Sequence, residues 1–329
     1  MKTWVLLLAV VVSLWGATSS MASPAPPQAQ STAASPTKHT TVKKKSAAKR
    51  RVKRRRKKRK ISRRERRIRH AFVASTDLKP MARQLLQDRS PAAYAGVQAY
   101  ARRHPGTDEA ALAWLAIGYA QILDHDYAKA VPALKRAQPR AGDLADYVDY
   151  FLATAYGAQG DSAGVIQALG KFETNYPDSL FLGDAAVMYG NALLAQNRPQ
   201  DAIAVLEPHR RPVRSDVELA LGRAYIAAGQ TTEGAGILHR IYYAMPLAPE
   251  AGAAQGDLAK LPPASVPAAS FDERKMRANT LLEARHYDDA VREYQALLPL
   301  ADTNSRPAIQ LDLGIALHHD GKDNDAKKL

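Results

Sequence analysis

The 329-residue chain contains no cysteine, which excludes both a disulfide framework and a lipid-modified cysteine anchor. Long apolar runs are missing too. The nearest is Trp4 to Trp15, which is too short to span a bilayer. Aromatic residues make up only 7% of the chain, and none interrupts the basic run from Lys43 to Arg69. That removes the stacking platform a single-stranded nucleic acid would need, so no specific nucleic-acid partner is expected. Acidic residues are almost absent from the first seventy positions, where Glu65 stands alone.

What is present is unevenly placed. The formal charge of +15 suggests a polyanion binder until it is located. Residues 43–70 hold 19 Lys and Arg against Glu65, a net of +18, while everything from Ala71 onward sums to −5. The basicity belongs to a tail, and the remainder is mildly acidic. Length sets no domain count, because repeats grow by addition.

The first residues read as an export signal. Met1-Lys2 is a minimal charged start, Trp4–Trp15 is the apolar stretch, and Ser20-Met21-Ala22 is a small-x-small cleavage site before Ser23. A signal peptide over 1–22 is expected, with a retained signal anchor as the alternative, and the expected location is the periplasm or cell envelope. From Ser23 to Thr41 the chain is rich in Pro, Ala, Ser, Thr and Gln, a composition that cannot bury a core. The segment 23–70 is therefore expected to be a disordered tail. Its basic part, 43–69, has two readings: adhesion to a polyanion or an anionic membrane surface by counterion release, or a solvated tail with no single partner.

From residue 110 onward a pattern of positions recurs. A small residue is followed seven later by a turn-prone or polar one, five after that by a small one, and four further on by an apolar one. Gly118, Ala130 and Leu134 form the first copy, and Ala153, Gly160, Val165, Leu169 and Pro177 the second. Gly190, Asn197, Ala202 and Leu206 follow, then Gly222, Gly229, Gly234, Leu238 and Pro246. Ala278, Arg285, Ala290 and Tyr294 make a fifth, and Gly314, Gly321 and Ala326 open a sixth that is expected to be truncated in its second helix. The first residues of successive copies lie 35, 37, 32, 56 and 36 positions apart. Apart from one long gap, this is the tetratricopeptide period of about 34 residues.

The spacing has a physical reading. The first small residue lets helix A approach helix B, and the residue seven later supplies the left-handed conformation that ends helix A. The later small and apolar residues, four apart, share one face of helix B. Proline in Tyr176-Pro177 and Met245-Pro246 stops helix B. Apolar positions Tyr119, Ile122, Leu123, Val131 and Leu134, split by the polar turn Asp124-His125-Asp126, carry no strand alternation. One such hairpin cannot bury its apolar face alone, so the units stack. The expected fold is all-α: a tetratricopeptide-like helical-hairpin solenoid, or superhelix, over 71–261 and again over 271–329. The Ala-, Pro- and Gly-rich gap, with its linker at 262–270 and some helix around Asp257–Leu261, is expected to let the array bend or split.

The most specific wording lies at Ile241-Tyr242-Tyr243-Ala244-Met245-Pro246-Leu247-Ala248-Pro249-Glu250-Ala251. It resembles a segment in the helical superstructure of bacterial soluble lytic murein transglycosylases, and Arg277-Ala278-Asn279 with Tyr287-Asp288-Asp289-Ala290 also fits their repeats. The resemblance covers roughly residues 80–329. It implies a solenoid that precedes a lysozyme-like domain cleaving peptidoglycan strands to 1,6-anhydro ends. It also implies that the catalytic glutamate lies in that domain, so no catalytic, cofactor or metal residue is assigned to this chain. Peptidoglycan, or alternatively an envelope protein in assembly or division, is the expected partner of the solenoid.

Other constellations are weaker. Glu109, Glu173, Glu207, Glu218 and Glu250 read as solvated or helix-end acids rather than a glycosidase pair. His318-His319 lacks the spacing of four that puts two ligands on one helix face, and Asp320, Asp323 and Asp325 lack the closing glutamate of a calcium loop. Tyr176, Tyr225, Tyr242, Tyr243 and Tyr294 could form a sugar shelf but read better as packing residues. The residues that carry the structure are the repeat positions Gly118, Ala130, Ala153, Gly160, Gly190, Ala202, Gly222, Gly229, Ala278, Ala290, Gly314 and Gly321.

Overall fold

A computed structural model describes residues 76–329, so the expected signal peptide and basic tail lie outside the described residues. Helices follow one another as antiparallel hairpins, with no strand among the described residues. The first pairs α1 (Leu78–Asp88) with α2 (Pro91–Arg103), and the second α3 (Asp108–Leu123) with α4 (Tyr127–Ala137). In the third, α5 (Ala145–Ala158) meets α6 (Ser162–Leu169), followed by the single turn α7 (Phe172–Asn175). The fourth joins α8 (Leu182–Ala195) to α9 (Pro199–Leu206), and the fifth α10 (Ser215–Ala227) to α11 (Thr231–Ala244). A lone α12 (Ala251–Leu258) precedes the sixth pair, α13 (Phe271–Glu283) and α14 (Tyr287–Leu297), and the seventh, α15 (Arg306–His319) and α16 (Asp323–Ala326). Each hairpin packs on its neighbours in chain order, a solenoid-like arrangement. Among the described residues no helix is long and apolar enough to cross a membrane.

Local chemistry sets the helix starts. Ser90, Thr107, Asp126, Asp161 and Ser270 each accept a bond from a first-turn amide, and Ser270 with Glu273 closes a reciprocal capping box. The turns are equally regular. One residue per hairpin takes the left-handed conformation, two positions before helix B begins: Arg89, His125, Gly160, Asn197, Gly229, Arg285 and Gly321. Three are glycine, and Asn tolerates this region, but Arg89, His125 and Arg285 occupy it against the steric preference of a Cβ-bearing residue. Exposed Arg285, at φ 65°, is the plainest case. Arg285→Gly is expected to stabilise the protein by about 1 kcal/mol, because relief of the left-handed penalty exceeds the added freedom of the unfolded chain. A urea titration beside the parent chain checks this; a lower midpoint would count against it.

The same register exposes a hairpin that the sequence pattern passed over. Arg89 lies seven residues after Ala82, and α2 begins two residues later, as in every following unit. Tyr94 stands where later units place a small or β-branched residue. Its hydroxyl donates to Asp124 at 2.7 Å, and that carboxylate also meets Arg89 at 2.7 Å, tying the first hairpin to the end of α3.

The small positions lie where the helices of a pair touch. A Cβ added at Gly118 would stand 2.5 Å from Leu134 Cγ, at Gly190 2.8 Å from a Leu206 methyl, and at Gly222 3.0 Å from a Leu238 methyl. Ala130, Ala153, Ala202, Ala278 and Ala290 have no exposed surface. Gly314 is looser, its nearest neighbour being Leu329 at 3.9 Å.

The apolar core is continuous from hairpin to hairpin only within two blocks. Overlapping clusters run from Leu78 to Leu258, where α12 covers α11, and a separate cluster runs from Phe271 to Ala326. In the gap, helix occupies Ala251–Leu258 rather than Asp257–Leu261, and a short 3-10 turn at Pro263–Ser265 leads to the Ser270 cap. Across the gap, α11 and α13 are in direct contact.

Candidate functional site: the seam between the two blocks

Charged and aromatic side chains fill the place where the two apolar cores stop. Arg277 on α13, 8% exposed, donates from Nη1 to the Tyr242 carbonyl at 2.6 Å and from Nε to Glu293 at 2.7 Å. Its guanidinium lies over the Tyr242 ring, 3.6 Å from the centroid. Tyr242 in turn donates its hydroxyl to Glu293 at 2.7 Å. One guanidinium thus uses a carbonyl, a carboxylate and an aromatic face, a combination lysine could not reproduce. The carbonyl of Tyr242 is available because it belongs to the last turn of α11, which Met245-Pro246 terminates. Beside this lock, His239 packs its ring against Tyr243 with centroids 4.6 Å apart.

The tyrosines considered as a sugar shelf are tied into the fold. Tyr294 is fully buried and donates to Asn279, Tyr176 donates to Asp149, and Tyr225 donates to Glu207. Burial, then Glu293, pushes the Tyr242 hydroxyl up to about 12.

Of the single glutamates Glu218 is buried, while Glu173 is exposed. Glu218 is 4% exposed and clamped by Arg210 at 2.8 Å and Arg240 at 3.1 Å. Burial alone would raise its carboxyl, but the two guanidiniums outweigh that and hold it below the ordinary value. Such a group is ionised near neutrality and does not donate a proton. Glu250 accepts from Ser215, and Glu173 lies 3.5 Å from His209. His318 meets Asp323, Lys322 meets Asp320 and Lys328 meets Asp325, so these acids are engaged by their own neighbours.

Two further surfaces have shape or polarity of interest. A cleft of about 230 Å³ lies between the third and fourth hairpins, with Leu169, Phe172 and Val205 among its apolar lining and Lys171, Glu173 and His209 among its polar lining. On α15, Leu311 and Ile315 are 65% and 40% exposed, one turn apart. The equivalent residues of α3, Leu115 and Tyr119, pack against the third hairpin, where Tyr119 stacks on Phe151 at 4.8 Å.

No protein-family model matches the chain, and no curated protein matches it.

The seam is what sequence reasoning missed. Arg277 was read only as part of a repeat, and a basic residue in the middle of a helix normally marks a solvated face. The available signal was its place four residues before the last wholly buried apolar residue of α13, Leu281 at 2% exposed, with Ala278 between.

Proposed function

We propose that the hairpin array is a binding scaffold of an exported envelope protein. It holds peptidoglycan for a lytic transglycosylase-type catalytic domain and does not itself cleave the glycan. One observation carries this reading. The two stretches resembling the murein transglycosylase superstructure, 241–251 and 277–290, are the two sides of the seam, and Tyr242 and Arg277 from them bond directly. A resemblance scattered over unrelated surface would carry less. The helical array also suits the role, since stacked hairpins offer a long surface to an extended polymer.

A second reading, a scaffold for an envelope protein, is favoured by the apolar pair Leu311 and Ile315 on α15.

Co-sedimentation of the full chain with purified peptidoglycan, followed by mass analysis of the supernatant, tests the first reading. The chain is expected to sediment with the polymer and to release no anhydro-ended muropeptides. Repeating the spin in high salt separates the two parts of the chain, because adhesion by a tail of net +18 weakens steeply with salt while the array's contacts persist. Release of anhydro-ended products, or loss of all sedimentation in high salt, would overturn the reading. The latter with a retained protein partner would favour the second.

A further inference from the structure

The seam also holds the least satisfied burial in the fold. His239 is 7% exposed, and its Nε2 is buried with no hydrogen-bond partner among the described residues. Across the seam, Arg274 Nε is buried and unpartnered in the same way. Two orphaned ring or guanidine nitrogens at one helix–helix contact are costly, and native folds keep few of them.

The charges around His239 are few and accounted for. From α13, Glu273 and Arg274 act on the imidazole. Glu273 is already engaged, accepting from the Ser270 amide and hydroxyl at 2.8 Å each. From α10, Glu218 is turned to Arg210 and Arg240, and from α12, Asp257 is turned to Arg223 and Lys260. The Pro263–Ser265 turn has no titratable side chain. On α11 itself the neighbour is the Tyr243 ring. Arg277 and Glu293 are paired with each other at 2.7 Å. With a neutral imidazole the seam therefore balances Arg274 and Arg277 against Glu273 and Glu293. A proton on His239 adds a third cation beside Arg274, and the Glu273 carboxylate that acts on it is already held through Oε2 by Ser270.

We propose that this seam is a proton-operated hinge: neutral His239 allows α13 to close on α11, and protonation of its ring loosens that contact while each block keeps its own core. Geometry permits the motion, because the apolar clusters end at Leu258 and resume at Phe271, so opening exposes polar seam and little core. The segment between them has only the 3-10 turn at Pro263–Ser265 to hold it. Burial, aided by Arg274 and partly opposed by Glu273, lowers the imidazole below its ordinary value. A lowered value means the stabilisation is present above the ordinary histidine value of about 6.5 and is lost as pH falls through the lower one. The Arg277 lock survives this change and limits how far the blocks part.

Amide hydrogen exchange on the full chain, expressed as protection factors at about pH 7.5 and about pH 5, tests the hinge. Protection in Thr231–Ala244 and Phe271–Glu283 is expected to fall several-fold at the lower pH, while α3 to α8 are unchanged. His239→Gln, which keeps a polar group near Nε2 but cannot take the proton, is expected to abolish the fall. No fall, an even fall along the whole array, or the same local fall in His239→Gln would overturn the proposal. If His239→Gln does not fold, Arg274→Met decides the matter. Removing the neighbouring cation is expected to move the transition to higher pH, and an unmoved transition would overturn the proposal.

Discussion

Replacing Arg277 by methionine is expected to destabilise the C-terminal block by about 3 kcal/mol, the usual cost of removing one partner of a buried ion pair. The side chains of Arg277 and Glu293 are only 9% and 14% exposed, so water cannot take the lost partner's place. Methionine fills much of the volume but leaves Glu293 charged with only the Tyr242 hydroxyl as donor, and leaves the Tyr242 carbonyl without the guanidinium. Adding Glu293→Leu should return much of the loss, since an apolar pair removes the stranded charge. Urea unfolding followed by exchange in Phe271–Glu283 measures both, because a repeat array need not unfold in one step. A loss under about 1 kcal/mol would place the pair with exposed ion pairs instead. Alkaline titration gives a second readout. Tyr242 titrates at about 12 in the fold against about 10 for an ordinary tyrosine, so its contribution is present below about 10 and lost as pH rises towards about 12. Glu293→Gln removes the neighbouring negative charge and should narrow that window.

The hairpin register was legible because each of its positions has a strict steric duty that few residue types can meet. Gly160, Gly229 and Gly321 end helix A in the left-handed region, and Gly118, Gly190 and Gly222 face Leu134, Leu206 and Leu238. The first hairpin was less visible because its steric duties are met by residues that carry no such signal. Arg89 takes the left-handed turn, and Tyr94 replaces the small residue and anchors itself on Asp124. The seam was hidden for another reason. Arg277 reaches Tyr242 over 35 residues, about one repeat, and Tyr242 reaches Glu293 over 51, so no pattern within a single helix links them. Composition at Gly252–Ser270 spoke for a break, but it carried no sign of the contacts that join α11 to α13 across it. Glu218 is a helix-end acid, in the first turn of α10, but its burial was not legible because its two arginine partners lie 8 and 22 residues away.

Substitutions two residues apart on α11 are expected to act in opposite directions. Gly234→Ala should cost about 2 kcal/mol, although alanine is the better helix former by about 1 kcal/mol. Its methyl would stand 2.6 Å from the Gly222 carbonyl oxygen and 3.0 Å from the Ile226 amide nitrogen. Those are backbone atoms within one turn of α10, so relief requires the helices to separate rather than a side chain to rotate. Other hairpins place Ala130, Ala202 or Ala290 at this position; the fifth carries glycine, against the Gly222 carbonyl of the facing helix. At Gly236 nothing lies within 4 Å of an added Cβ, so Gly236→Ala meets no obstacle and gains helix propensity, about 0.5–1 kcal/mol. Urea midpoints of the two variants against the parent decide it. If Gly234→Ala stabilised the protein, helix propensity would outweigh close packing in this hairpin, and the small residues would be marking turns and helix periods rather than helix contacts.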